Sequence, residues 1–117
     1  ISPSAPLEIY FSLKKLKKVE SLVAGFSISD NMGNTLFGTN TQILKQTIPS
    51  FEGSRQIAVK IPALQVQHGI YYFSLAVHSE DHRVQYHRLD NAFKFKMGDA
   101  AGGAGIMVLP CSMEVES

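Results

Sequence analysis

The chain holds one cysteine, carries a net charge of only +1 and contains no long apolar run. Each scarcity excludes something. A lone Cys111 forms no internal disulfide, so a small secreted disulfide scaffold is ruled out, and the thiol suits a reducing, cytoplasmic setting. No neighbouring group activates it as a nucleophile, and it reads as a buried or interface thiol. The small net charge offers no basic field to neutralise phosphates, which argues against a nucleic-acid partner. No segment is long and apolar enough to span a bilayer as a helix, and no signal-peptide pattern opens the chain. The start, Ile1-Ser2-Pro3-Ser4-Ala5-Pro6, reads as a linker or a cut edge.

Enzyme signatures are missing as well. There is no Gly-x-Ser-x-Gly elbow, His-Glu-x-x-His helix, phosphate-cradling loop or Cys-x-x-Cys pair. Residues 98–105 are glycine-rich but lack the Lys-Ser/Thr of a P-loop. Carboxylates occur without a pairing that suggests glycoside hydrolysis. The sequence therefore predicts a non-catalytic protein with no cofactor.

What is present is strand periodicity. Residues 7–13 alternate Leu7, Ile9, Phe11 and Leu13 against Glu8, Tyr10 and Ser12. Ala24, Phe26 and Ile28 oppose Gly25, Ser27 and Ser29, and a turn containing Asp30, Asn31 and Gly33 leads into a second short strand through Leu36 and Phe37. Ile57, Val59 and Ile61 share a face. In residues 70–79, Tyr71, Phe73, Leu75 and Val77 point inward, while Tyr72, Ser74, Ala76 and His78 point outward. Residues 84–88 and 92–97 read as two further strands. The clusters Phe51-Glu52-Gly53-Ser54 and Ser79-Glu80-Asp81-His82 read as turns, Lys14-Lys15-Leu16-Lys17-Lys18 as a solvated bend, and residues 41–48 admit a helical turn. Short strands at this spacing predict an all-β sandwich or barrel.

The segment before Tyr71 favours the sandwich. Gly69-Ile70-Tyr71 resembles the tyrosine corner of immunoglobulin-like domains, whose hydroxyl bonds back to upstream backbone. Phe73 then takes the sandwich centre. The predicted fold is an immunoglobulin-like antiparallel β-sandwich over residues 7–97. Residues 98–105 form a loose tether, and residues 106–117 a C-terminal strand and tail. Ile106, Met107, Val108 and Leu109 are too apolar to remain in solvent; the strand folds back or is exchanged between protomers.

Histidine is the remaining candidate chemistry. With a turn at Asp81-His82, Val77 would pair with Tyr86 and His78 with Gln85, keeping Val77 and Tyr86 inward. His78 and His87 would then be diagonal neighbours about 7 Å apart on the outward face. Zinc wants three or four convergent ligands, and His82 at the turn tip points elsewhere, so no metal site is assigned.

The hairpin carries a resemblance. Gly25-Phe26-Ser27-Ile28-Ser29-Asp30, the Gly33 turn and Phe37-Gly38-Thr39-Asn40-Thr41 resemble the C-terminal polysaccharide-recognition domain of the ATPase subunit in bacterial ABC exporters of O-antigen, the Wzt type. Ile61-Pro62-Ala63-Leu64, the run from Gly69 to His78, and Tyr86 with Phe93-Lys94-Phe95 extend it. His87 departs from the family, which often has Asp there. The resemblance implies an exported polysaccharide as ligand, an attached ATPase domain and membrane transporter subunit as partners, a homodimer, and a cytoplasmic location at the inner face of the membrane. Polar outward residues suited to sugar are Ser27, Ser29, Thr39, Asn40, Tyr72, Ser74, His78 and His87, with Gly25 and Ala76 leaving a shallow trough. The competing reading is an immunoglobulin-like interaction or scaffolding domain with no glycan ligand.

Overall fold

A computed structural model describes residues 3–19, 22–46, 48, 51–79, 85–98, 105–109 and 111–115. Among the described residues six strands appear in order: β1 (Leu7–Val19), β2 (Leu22–Asp30), β3 (Thr35–Asn40), β4 (Phe51–Ile61), β5 (Gly69–Ser79) and β6 (Gln85–Met97). They form two antiparallel sheets, one of order β3-β2-β5-β6 and one of β1-β4. The all-β sandwich follows from the alternation, because each sheet has one apolar face to bury.

The core lies where those faces meet. Ile28, Tyr71, Phe73, Leu75 and Met97 are buried, and Ile9, Phe11, Val59 and Ile61 of the smaller sheet pack against them. Phe73 is fully enclosed, at 0% exposure. Its ring stacks on Phe26 at 5.1 Å and meets Phe93 at 6.2 Å. The smaller sheet covers only the middle of the larger one. Phe37 on one flank, and Leu89 and Phe93 on the other, remain exposed.

The corner forms as predicted. Tyr71 Oη donates to the carbonyl of Gln67 at 2.8 Å, tying the chain before β5 to the strand itself. Burial raises the phenol's pKa, and the Asp30 carboxylate adds to the effect. The folded state thus holds the phenolic proton more tightly than the unfolded chain. This contribution is full below the ordinary phenol pKa and is lost as pH rises through the folded value. Replacing Tyr71 by Phe should cost about 0.5–1.5 kcal/mol through the lost hydrogen bond. Urea unfolding at neutral pH measures it; an unchanged midpoint would show that the corner bond contributes nothing net.

Four local expectations are corrected. The lysine run is not a bend: β1 continues through it, with a register shift between Lys15 and Val19. Phe51-Glu52-Gly53-Ser54 is not a turn but the start of β4, where Gly53 at φ 80° pairs with Lys15. The two strands expected over residues 84–97 are one, β6, interrupted by irregularities. The register at its start also differs. His78 does pair with Gln85, but Val77 pairs with His87, so Tyr86 is the extra residue of a bulge and is 45% exposed. A bulge adds one residue to one strand only, and it arises from pairing geometry rather than local pattern. The turn expected at Asp81-His82 lies outside the described residues.

Residues 41–46 do make a hydrogen-bonded turn, with Leu44 N donating to Asn40 O at 3.0 Å and Gln46 N to Thr41 O at 2.8 Å. The described part of the tail meets the same chain at Val66, which bridges Met107, with Gln67 N donating to Ile106 O and Val108 N to Gln65 O. Met107 and Leu109 nevertheless stay 65% and 68% exposed, and Cys111 is exposed too.

Candidate functional site

The outer face of the larger sheet carries a trough of about 370 Å³. Register builds it. Asn40, Gly25, Ala76 and Arg88 line up across β3, β2, β5 and β6, and the next row holds Gly38, Ser27 and Ser74. The floor is therefore glycine, alanine and serine, and the longer side chains stand at the margins. At Gly25 the space for a side chain is tight. A Cβ there would lie 3.2 Å from the Thr39 carbonyl oxygen and 3.3 Å from Asn40 Cβ.

The rim is rich in hydrogen-bonding groups with assigned directions. Asn40 Oδ1 accepts from Ile43 N at 2.8 Å, leaving the amide nitrogen to donate. Ser74 Oγ accepts from Asn91 N at 2.9 Å, so its hydroxyl proton can be given elsewhere. His78 Nδ1 lies 2.8 Å from the Ser79 carbonyl; it donates there, and Nε2 of a neutral ring is an acceptor. Arg88 Nε donates to Asp90 Oδ1 at 2.8 Å, which fixes the guanidinium at the margin.

A second cavity of about 350 Å³ opens between the sheets, lined by Phe11, Phe26, Phe37, Ile57 and Val59 among others. Its lining is mostly apolar and offers few partners to a hydroxyl-rich ligand. The Asp30 turn is self-contained: its carboxylate accepts from Met32 N, Asn34 N and Asn34 Nδ2. The Asn34 contacts, side chain first, hold its pKa below the usual carboxylate value.

Of the residues expected on this face, Ser27, Asn40, Ser74 and His78 line the trough together. Thr39 also borders it, but it pairs with Phe26 and so its side chain belongs to the inner face. Ser29 and Tyr72 pair with each other in the row beyond the trough, extending its surface toward Lys94. His87 is not on this face. Opposite Val77, it occupies an inner-face position at the sandwich margin, so the expected pairing with His78 does not form.

Sequence reasoning misses Arg88 and Asp90. Their signal lies in β6, where Phe93, Phe95 and Met97 set the inward parity. Carried back along the strand, that parity makes Leu89 and His87 inward and Arg88 and Asp90 outward. Two extra residues opposite Ser74 leave the parity intact.

Comparison with known proteins decides the family. The Wzt C-terminal domain family matches residues 1–107. The chain belongs to that family. No curated protein matches the sequence. Among solved structures, the chain is similar to one described as the crystal structure of the C-terminal domain of Wzt. The TM-score is 0.86 at 14% identity, over 99% of this chain and 73% of that one. At that identity the likeness speaks for the fold alone. The trough therefore has to be read from this chain's own residues. No helix among the described residues is long and apolar enough to cross a membrane.

Proposed function

We propose that this domain recognises an exported bacterial polysaccharide of the O-antigen kind in the outer-face trough, and so confers substrate specificity on an ABC transporter. The observation that carries the reading is the trough itself: a floor of small residues lined by Ser27, Asn40, Ser74, His78 and Arg88. A polysaccharide needs that combination, room for a chain and many oriented donors and acceptors. Tyr72 in the adjoining row offers a ring for the apolar face of a sugar. The role is binding without catalysis. Among the described residues, Asp90 is the only carboxylate lining the trough and is held by Arg88, whereas glycoside hydrolysis uses two placed carboxyl groups. In this reading an attached ATPase domain and a transmembrane subunit complete the assembly at the cytoplasmic side of the membrane. The exposed apolar tail joins two copies in a dimer.

Calorimetric titration with the polysaccharide of the source cell tests the function. The wild-type domain should bind, and Gly38→Val should weaken binding at least about tenfold, equivalent to ~1.4 kcal/mol. A Cβ at Gly38 meets only ordinary contacts, with Phe26 O and Ser27 Cβ both at 3.6 Å, so the variant fills the trough without breaking the strand. Tyr72→Ala should also weaken binding, with stability changed by no more than about 0.5 kcal/mol. No binding by the folded wild-type domain would leave the protein-interaction reading instead.

A further inference from the structure

The charges on the larger sheet's outer face are distributed unevenly. β2 contains one charged residue, Asp30, and it pairs with Tyr71, whose side chain is inward. β3 and β5 contain no Asp, Glu, Lys or Arg. All the formal charge on the outer face of the strands therefore comes from β6, where Arg88, Asp90, Lys94 and Lys96 alternate with the inward Leu89, Phe93, Phe95 and Met97. Asp90 is engaged by Arg88. Within the trough's own lining that pair balances, and the surplus cation of the face, Lys94 and Lys96, lies in the rows beyond it.

Lys94 is the telling member. It is exposed, pairs in register with Tyr72, and its ammonium has no ion-pair or hydrogen-bond partner among the described residues. An ammonium thus stands beside the ring offered to a sugar face. Arg88 occupies the equivalent position opposite Ala76. Four residues of β5 separate Tyr72 from Ala76, about 13 Å at ~3.3 Å per residue. That backbone spacing suits successive acidic groups along a polymer. Edge strands often carry lysines merely to prevent pairing with other sheets. That role is indifferent to which sugar is bound, so selectivity separates the two explanations.

We infer that the ligand is an acidic glycan whose sugars bear carboxylate or phosphate groups, with Lys94 pairing with the acid while Tyr72 receives the adjoining sugar face, and Arg88 reading a second acid further along. The inference rests on the glycan-binding reading above and adds the ligand's chemical class.

The test uses polysaccharide extracted from the source cell in three forms: native, carboxyl-reduced and dephosphorylated. Native polymer should bind, and one of the two treatments should weaken binding at least about tenfold, ~1.4 kcal/mol. Which treatment does so identifies carboxylate or phosphate as the group read. Lys94→Gln should abolish the difference between native and treated polymer. Lys60→Gln, which removes the same charge from β4 opposite Glu8 on the other sheet, should preserve it. Raising salt from about 0.1 M to about 1 M, which shortens the screening length from ~10 Å to ~3 Å, should weaken binding of native polymer to wild type and have less effect on Lys94→Gln. Undiminished binding of both treated forms would overturn the acidic-ligand inference while the glycan-binding function stood. Equal losses in Lys94→Gln and Lys60→Gln would overturn the role of Lys94. Failure of the native polymer to bind would overturn both the function and the inference.

Discussion

Phe73→Ala should lower the unfolding free energy by about 3–5 kcal/mol, the range for removing a fully enclosed phenylalanine. The side chain is 0% exposed and touches both sheets' core. Its removal takes away the stacked contact with Phe26 and the tilted one with Phe93. Collapse around the site is limited, because Ile28, Leu75 and Met97 are held by their own strands. For a domain of this size the loss corresponds to a melting temperature lower by more than about 10 °C. Differential scanning calorimetry of wild type, Phe73→Ala and Tyr72→Ala makes the comparison. The neighbour Tyr72 pairs with Ser29 and Lys94 on the outer face, and its truncation should barely move the transition. A large loss for Tyr72→Ala beside a small one for Phe73→Ala would mean that the two faces of β5 are interchanged, and the trough would lose its basis.

That contrast is legible in the amino-acid sequence, and the reason is physical. β5 is central in its sheet, so strict alternation between core and outer face repeats along its whole length. The tyrosine corner is legible for a related reason. Its Gly-x-Tyr pattern encodes a local bond, from Tyr71 to a carbonyl four residues earlier. Ser27, Asn40, Ser74 and His78 fall together because the hairpin and β5 both keep regular parity on this side.

The failures share a different cause. β1, β4 and β6 each depart from simple pairing: at Lys15 to Val19, at Gly53 and around residues 86 and 90–92. In each, the local sequence looks like a break, because lysines, Gly53 or the polar Asp90-Asn91 interrupt an apolar pattern. Asn91 adopts a positive φ of 53°, yet the strand goes on. A partner strand supplies hydrogen bonds on both sides of such a defect, so pairing overrides what the isolated segment prefers. The site suffers at one place for this reason. Counting forward from a turn at Asp81-His82 assigns His87 to the outer face, whereas counting back from Met97 puts Arg88 there. The reliable anchor is the buried end of β6, not its entry.

Removing residues 100–117 should convert a dimer into a monomer or an aggregating species, the second large effect expected of this chain. Among the described residues, the tail's partner within the chain is short: Ile106 and Val108 bond to Gln67 and Gln65. Its side chains gain little from that contact, since Ile106, Met107, Leu109, Met113 and Val115 are 43%, 65%, 68%, 94% and 96% exposed. Burial against a second copy would stabilise each such side chain by about 1.5–3 kcal/mol, so five from each chain could outweigh an association cost of ~4–15 kcal/mol. The flanks that the smaller sheet leaves open, at Phe37 and at Leu89 with Phe93, offer apolar surface to receive them. Two copies related by a twofold axis would make the exchange reciprocal, each tail covering its partner. Light scattering over a concentration series should therefore show a dimer for the intact chain, and loss of that mass on truncation. The exposed Cys111 gives a second readout: a thiol-reactive reagent should label it more slowly in the associated chain than in urea-unfolded protein. A monodisperse monomer at high concentration, with Cys111 reacting at the unfolded rate, would require the dimer to be withdrawn and the tail to be read as an unshared extension of a single sandwich.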